Sequence, residues 1–173
     1  MKVIHKPAKV WYLELKPQNI KGADSSDFSI KKIFPVDVNN YKNIYKEVGG
    51  PWDWANRLAM TDDKLQAILK DEKNEIYYCY YKGTFAGYFE IDTHTNDIEL
   101  VYFGLSPKFI GKGLGKQMMQ SVISKANQAN APRLWLHTCE FDAPQALKFY
   151  LKSGFSIYNE RIEDQTIIQF NKK

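Results

Sequence analysis

The sequence predicts a single-domain α/β (α+β) fold, a mixed and mostly antiparallel sheet flanked by helices. Three observations predict it. Strand-like runs alternate with amphipathic helical stripes along the whole chain of 173 residues. Three strand signals follow one another between Glu75 and Leu105 with no helix between them. A glycine cluster, "IGKGLGKQMM" at 110–119, then joins the last of them to a long helical stripe. The length suits one domain with a full core and is short for two.

Taken in order, "KVWYLELK" reads as a strand closed by Pro17. A polar loop follows, then "FSIKKIFP" as a second extended piece. Asp37 caps a helix whose Val38, Tyr41, Ile44 and Val48 share a face, and Gly49-Gly50-Pro51 ends it. Thr61 opens another helix carrying Leu65, Ile68 and Leu69. "EIYYCYY", a turn at Lys82-Gly83 and "TFAGYFEID" form a hairpin, and "NDIELVYFGL" adds a strand after a turn around Thr95-Asn96. A helix from Gly113 to about Asn127 places Leu114, Met118, Val122 and Ala126 on one stripe with Met119 and Ile123. The strand "RLWLHTC" comes next, then a helix over "DAPQALKFYLKS" with Asp142 as N-cap and Gly154 as a left-handed stop. "FSIYNE" and "TIIQFN" close the chain as strands.

Hydrophobic residues at 44%, aromatics at 14% and charged residues at 25% describe a soluble globular protein. The net charge of +4 comes from 24 basic and 20 acidic residues spread along the chain. It favours anionic ligands weakly and supplies no basic stripe for nucleic acid. No apolar run has signal-peptide or membrane length. Cys79 and Cys139 each sit in a strand-like run and read as buried free thiols. A cytoplasmic protein with no nucleic-acid or membrane partner is expected, and nothing in the pattern separates a monomer from a homodimer.

The glycines sit where a helix begins, and a helix start offers unpaired N–H groups and partial positive charge to an anion. A Walker A loop is excluded, because Ile110 stands where its first glycine belongs and Gln117 where Ser or Thr would bind magnesium. The dinucleotide fingerprint is excluded by the spacing Gly111, Gly113, Gly115. A third kind of phosphate loop and a plain glycine-rich turn are left.

The order strand, "GKGLGK", amphipathic helix, strand, then a short helix ending "FYLKSGF" resembles the GNAT superfamily of acyl-CoA N-acyltransferases, over roughly residues 75–160. The segments "GGPWDWANRL", "VYFGLSPKFIGKGLG" and "HTCEFDAPQALKFYLKSGF" together resemble an uncharacterised bacterial branch of it. The resemblance implies acetyl-CoA as cosubstrate, with no metal, and direct transfer to a primary amine of a small molecule or a peptide. In the family pattern Arg/Gln-x-x-Gly-x-Gly/Ala, Gly113 and Gly115 match the small positions, while Ile110 replaces Arg or Gln. Backbone amides with Lys112 or Lys116 then have to hold the pyrophosphate. The implied cosubstrate contacts are Phe103, Leu105, Gly111, Lys112, Gly113, Leu114, Gly115, Lys116 and Tyr150. Asp142 stands near a place where many members have Asn.

An amine with a pKa of about 10 is protonated near neutrality, so the reaction needs a base or a desolvating pocket. Glu99, in an apolar strand beside the loop, is the candidate base, six residues before Leu105 as in some members. The alternative is a strand-edge glutamate facing water or pairing with lysine. Tyr150 matches the family tyrosine that protonates the departing thiolate, the alternative being a tyrosine buried for packing. The oxyanion is expected at a backbone N–H near Phe103 to Leu105, with a bulge that Gly104 permits. Trp52, Trp54 and Arg57 are acceptor-side candidates, the aromatics to bracket a substrate and Arg57 to bind a carboxylate; core anchoring is the competing role. His137 either relays a proton or is satisfied at a strand end. Cys139 lacks an evident acid–base partner for a nucleophile. A non-catalytic acyl-CoA-binding sensor or structural module is the second reading of the whole.

Overall fold

The computed structural model describes residues 2–20 and 26–169. Seven strands form one sheet in the order β2-β3-β4-β5-β6-β1-β7. They are β1 Lys2–Leu15, β2 Phe28–Ile33, β3 Asn74–Tyr81, β4 Thr84–Asp92, β5 Ile98–Leu105, β6 Leu134–Cys139 and β7 Ser156–Gln169. Four α-helices flank it: α1 Val38–Gly49, α2 Asp62–Leu69, α3 Leu114–Gln128 and α4 Ala146–Lys152. Every neighbouring pair is antiparallel except β5 and β6.

Local chemistry places most of these elements where the sequence expects them. The Asp37 side chain accepts from Asn40 N at 2.9 Å and starts α1. Thr61 accepts from Lys64 N at 3.4 Å and starts α2. Lys82 and Gly83 both have positive φ, the geometry of a two-residue hairpin turn between β3 and β4. Gly154, at φ +100°, ends α4 while Phe155 N returns to Tyr150 O at 3.2 Å.

Alternation along the strands divides the interior into two layers. One face packs Leu13, Phe89, Ile91, Leu100, Leu134 and Leu136 against the α3 stripe of Leu114, Met118, Val122 and Ala126. The other packs Ile76, Tyr78 and Tyr88 against Tyr41, Ile44, Tyr45 and Val48 of α1 and Leu65 and Leu69 of α2. Each fully buried large side chain contributes about 1.5–3 kcal/mol, and these layers fix α1 and α3 on opposite sides of β5.

Four expectations need correction. The first strand begins at Lys2, well before Lys9, and lies between β6 and β7. Its N-terminal half pairs only with β7, which leaves an edge where Pro7 is tolerated. The two closing strands are one, because the charged middle "RIED" pairs with Pro7–Val10 of β1 and so continues the ladder, with Lys9 and the adjacent Glu160 paired at 2.8 Å. Phe170 and Asn171 of the expected "TIIQFN" strand lie outside the described residues, as does part of the polar loop after Pro17. The helix expected over 142–153 starts only at Ala146, and Asp142 caps nothing. The bulge of β5 lies at Val101, since Glu90 pairs Tyr102 while Ile91 pairs Leu100, earlier than the expected 103–105. Gly104 answers a different need: a Cβ there would lie 2.4 Å from Val48 Cγ1, so the missing side chain lets α1 approach β5.

Candidate functional site

β5 and β6 pair at only two positions, Ile98 with Leu134 and Glu99 with Trp135. Beyond them the strands separate, and the edge of β5 from Val101 to Leu105 has no ladder partner in β6. A cavity of about 590 Å³ opens in that gap, within the range of small-molecule sites. Leu100–Leu105 of β5 form one side of it, and His137 and Cys139 of β6 the other.

At one end stands the glycine loop. Gly111 and Gly113 have φ of +82° and +75°, and a Cβ on either would meet nothing within 4 Å. The loop is thus open on its outer side and held in a conformation that other residues adopt at a cost. Gly113 is the N-cap of α3 and has no side chain to satisfy the first N–H groups, which remain available to an anion. Gly115 differs: it lies inside the first turn, and a Cβ would make ordinary contact with Phe149 at 3.6 Å. Lys116 and Ile110 line the cavity, Ile110 being 43% exposed. Lys112 lies over the Phe109 ring at 5.1 Å, and Leu114 is buried in the core, so only its backbone is placed to meet a ligand. Ser106 anchors the run-up to this loop, donating to Glu47 Oε1 of α1 at 2.6 Å.

Beside the open β5 edge, Phe103 stacks on Phe149 at 5.6 Å and meets Tyr150 edge-on at 6.3 Å. Leu105 and Tyr150 share this wall. Burial, with the Asp142 charge, pushes the Tyr150 phenol above its ordinary pKa of about 10. Burial likewise pushes the Cys139 thiol up to about 11, which leaves it a poor nucleophile.

The far end of the cavity is walled by Trp52–Asn56 and by Gln165, Thr166 and Ile167 of β7. Trp54 packs against Tyr45 and Tyr102, bridges Ile167 of β7, and donates from Nε1 to Asp142 Oδ1 at 3.3 Å. Asp142 also accepts from Thr138 Oγ1 at 2.5 Å and Cys139 N at 3.1 Å, so it ties the end of β6 to the Trp54 loop. Sequence reasoning missed this role because a cap was the simpler use for an Asp before a helix. Trp52 and Trp54 both line the cavity, and Trp54 anchors the wall as well.

Arg57 does not fit the carboxylate-binding role expected of it. It is 7% exposed, and its guanidinium pairs with Glu90, which is fully buried and also accepts from Tyr41 Oη at 2.6 Å. Glu90 lies in the run "TFAGYFEID", where alternation puts it on a core face, and that was the available signal for a buried partner. His137 lines the cavity and Glu99 does not; Glu99 Oε1 lies 3.5 Å from His137 Nδ1. In the alternative role for Glu99, a strand-edge carboxylate facing water or pairing with a lysine, the imidazole of His137 stands in the place of the lysine. Among the described residues no group of three or more His, Cys, Asp or Glu is arranged to hold a metal ion. No helix among them is long and apolar enough to cross a membrane.

The site is thus a sheet parted between two parallel strands, with the glycine-capped start of α3 at its mouth. The model of the acetyltransferase (GNAT) family matches residues 41–155, and the chain belongs to that family. It is 23% identical over 153 residues to an uncharacterised N-acetyltransferase encoded in the pepI 3′ region of Lactobacillus delbrueckii subsp. lactis, covering 83% of this chain and 88% of that one. Its fold is similar to a GCN5-related N-acetyltransferase from Sphaerobacter thermophilus (TM-score 0.70, 11% identity), covering 94% of this chain and 53% of the other. It is also similar to the PaiA N-acetyltransferase of Thermoplasma acidophilum in complex with coenzyme A (TM-score 0.55, 15% identity), covering 72% and 87%. This chain therefore spans about half the length of the Sphaerobacter structure.

Proposed function

We propose that this protein transfers an acetyl group from acetyl-CoA directly to a primary amine, within one ternary complex. The observation that carries the reading is the cavity between β5 and β6, whose lining combines three environments. The start of α3 suits a pyrophosphate. The unpaired β5 edge suits an extended arm bearing amides, which would add to the sheet as a strand does. The aromatic and polar far end suits an acceptor.

Within this reading the amine attacks the thioester carbonyl, and a free N–H of the β5 edge near the Val101 bulge meets the oxyanion. Tyr150 gives its proton to the departing thiolate. A phenol whose pKa is raised is a weak acid, yet the enclosure that raises it also disfavours the bare thiolate, so transfer between the two stays balanced. Ile110 brings no charge to the loop; backbone amides and Lys116 supply the attraction.

Calorimetric titration with acetyl-CoA, with ATP as control, tests the binding, and thiol release across a panel of amines tests the reaction. Micromolar binding of acetyl-CoA without ATP binding, followed by amine-dependent thiol release, is the expected result. Binding without release by any amine would favour the acyl-CoA-binding module, and no binding would overturn both readings.

A further inference from the structure

His137 and Glu99 hold unequal positions. His137 stands on β6 at the cavity wall with its side chain 43% exposed; Glu99 stands on β5 where the two strands still pair, 23% exposed and outside that wall. The carboxylate faces Nδ1 of the ring at 3.5 Å. An Nδ1–H directed at Glu99 leaves Nε2 as the nitrogen with a lone pair. The ring is further fixed by Tyr12 of β1 at 5.8 Å and Trp135 of its own strand at 6.5 Å.

Resting on the acetyl-transfer reading, we infer that His137 is the general base that takes the proton of the acceptor amine, and that Glu99 is its positioning residue. The amine nitrogen forms the bond to the carbonyl carbon and its proton passes to Nε2 of His137. The C–S bond then breaks, and the sulfur takes the Tyr150 proton. His137, part exposed, returns its proton to solvent, and the Tyr150 phenolate regains a proton from solvent before the next turnover.

The groups facing His137 are Glu99 from β5, Asp142 from the segment after β6, and Tyr12 and Glu163 from β1 and β7. Asp142 is held by Thr138, Cys139 N and Trp54, and Glu163 accepts from Tyr12 Oη at 2.8 Å. The Glu99 carboxylate, accepting from Nδ1–H, raises the His137 pKa above its ordinary value, burial opposes that, and the more distant carboxylates add to the rise. The neutral ring is the active form, so activity climbs with pH through this raised value.

The test pairs pH–rate profiles of thiol release with NMR titration of the His137 ring. His137→Gln should lower kcat about 10²–10⁴-fold and abolish the acidic limb of kcat/KM, with acetyl-CoA affinity retained as evidence of a folded site. Glu99→Gln should cost about 10–100-fold, keep the limb and move it to lower pH, together with the ring's own titration. A limb that survives His137→Gln and disappears in Glu99→Gln would overturn the assignment while leaving acetyl transfer standing. An unmoved ring titration in Glu99→Gln would overturn the pairing. Failure of the unaltered protein to bind acetyl-CoA and to release thiol with any amine would remove the acetyl-transfer reading and this assignment with it.

Discussion

Replacing Arg57 by methionine removes the guanidinium that neutralises Glu90 while keeping most of the side-chain bulk. Glu90 is 0% exposed, sits opposite Tyr102 beside the β5 bulge, and among the described residues would keep the bond from Tyr41 Oη at 2.6 Å. Breaking a buried pair in this way costs about 3–5 kcal/mol, chiefly because the remaining charge has no counter-ion. The surviving charge-assisted hydrogen bond favours the lower end, about 3 kcal/mol. For a domain of 173 residues each kcal/mol moves the melting temperature by about 2–4 °C, so a fall of about 6–12 °C is expected by calorimetry. The double variant Arg57→Met/Glu90→Gln removes the stranded charge, keeps an acceptor for Tyr41, and should recover more than half of that loss. A single-variant loss below about 1 kcal/mol, or a double variant no better than the single, would refute the view that this pair is a neutralised buried charge.

Gly113→Ala should cost backbone strain of about 1–3 kcal/mol at φ +75°, and Gly113→Glu should bind acetyl-CoA about tenfold or more weakly than Gly113→Ala, because its carboxylate faces the anion. Equal affinities by calorimetry would put the phosphate elsewhere. Tyr150→Phe should lower kcat about 10²-fold or more while leaving acetyl-CoA affinity nearly unchanged, and unaltered turnover would remove Tyr150 from the mechanism. His94 bonds Asp92 at 2.8 Å and Asp71 at 2.9 Å, and these bonds raise its pKa in the folded state. Its contribution is therefore full below about pH 6.5 and lost as pH rises through the raised value. His94→Ala should thus lower the denaturation midpoint more at pH 5.5 than at pH 9, and an equal loss at both would contradict the linkage.

What the sequence made legible was local. Asp37, Thr61, Lys82-Gly83 and Gly113 act within a few residues of themselves, through caps, a two-residue turn and a helix start, so their roles could be read without knowing their distant neighbours. The glycine loop and Tyr150 were legible for a second reason, since their order and spacing carried a family resemblance. The parting of β5 from β6 was not legible, because both strands read as ordinary strand-forming runs and only the register reveals that pairing stops after two positions. Arg57 and Asp142 were misread for a related reason. Arg57 is claimed by Glu90, far along the chain, and Asp142 ties its near neighbours Thr138 and Cys139 to the distant Trp54, so a window of neighbouring residues misses Glu90 and Trp54. The start of β1 was hidden by its lysines and Pro7, and its strand character comes from the long-range pairing with β7, in which Pro7 lies opposite Asp164 and Lys6 opposite Gln165.

The same division between local and distant separates the two ends of the cavity. On the proposed reading the cosubstrate end is made from β5, the glycine loop, α3, β6 and α4, all within residues 98–152 and all inside the segment that the family model matches. The far end needs Gln165, Thr166 and Ile167, which lie outside that segment, and Ile167 is held by Trp54 on one side and by β1 on the other. β1 itself, Lys2–Leu15, is also outside it, and its insertion between β6 and β7 is what carries β7 across to the Trp54 loop. On the same reading the acceptor wall joins the Trp52–Asn56 loop to the long-range pair of β1 and β7, whereas the cosubstrate wall comes from one contiguous run. Exchanging Gln165 and Thr166 should accordingly change which amine is used while leaving acetyl-CoA affinity alone, and a library at these two positions, assayed by thiol release across the amine panel, would measure it. A loss of acetyl-CoA binding in those variants would show that the two ends of the cavity are not separable.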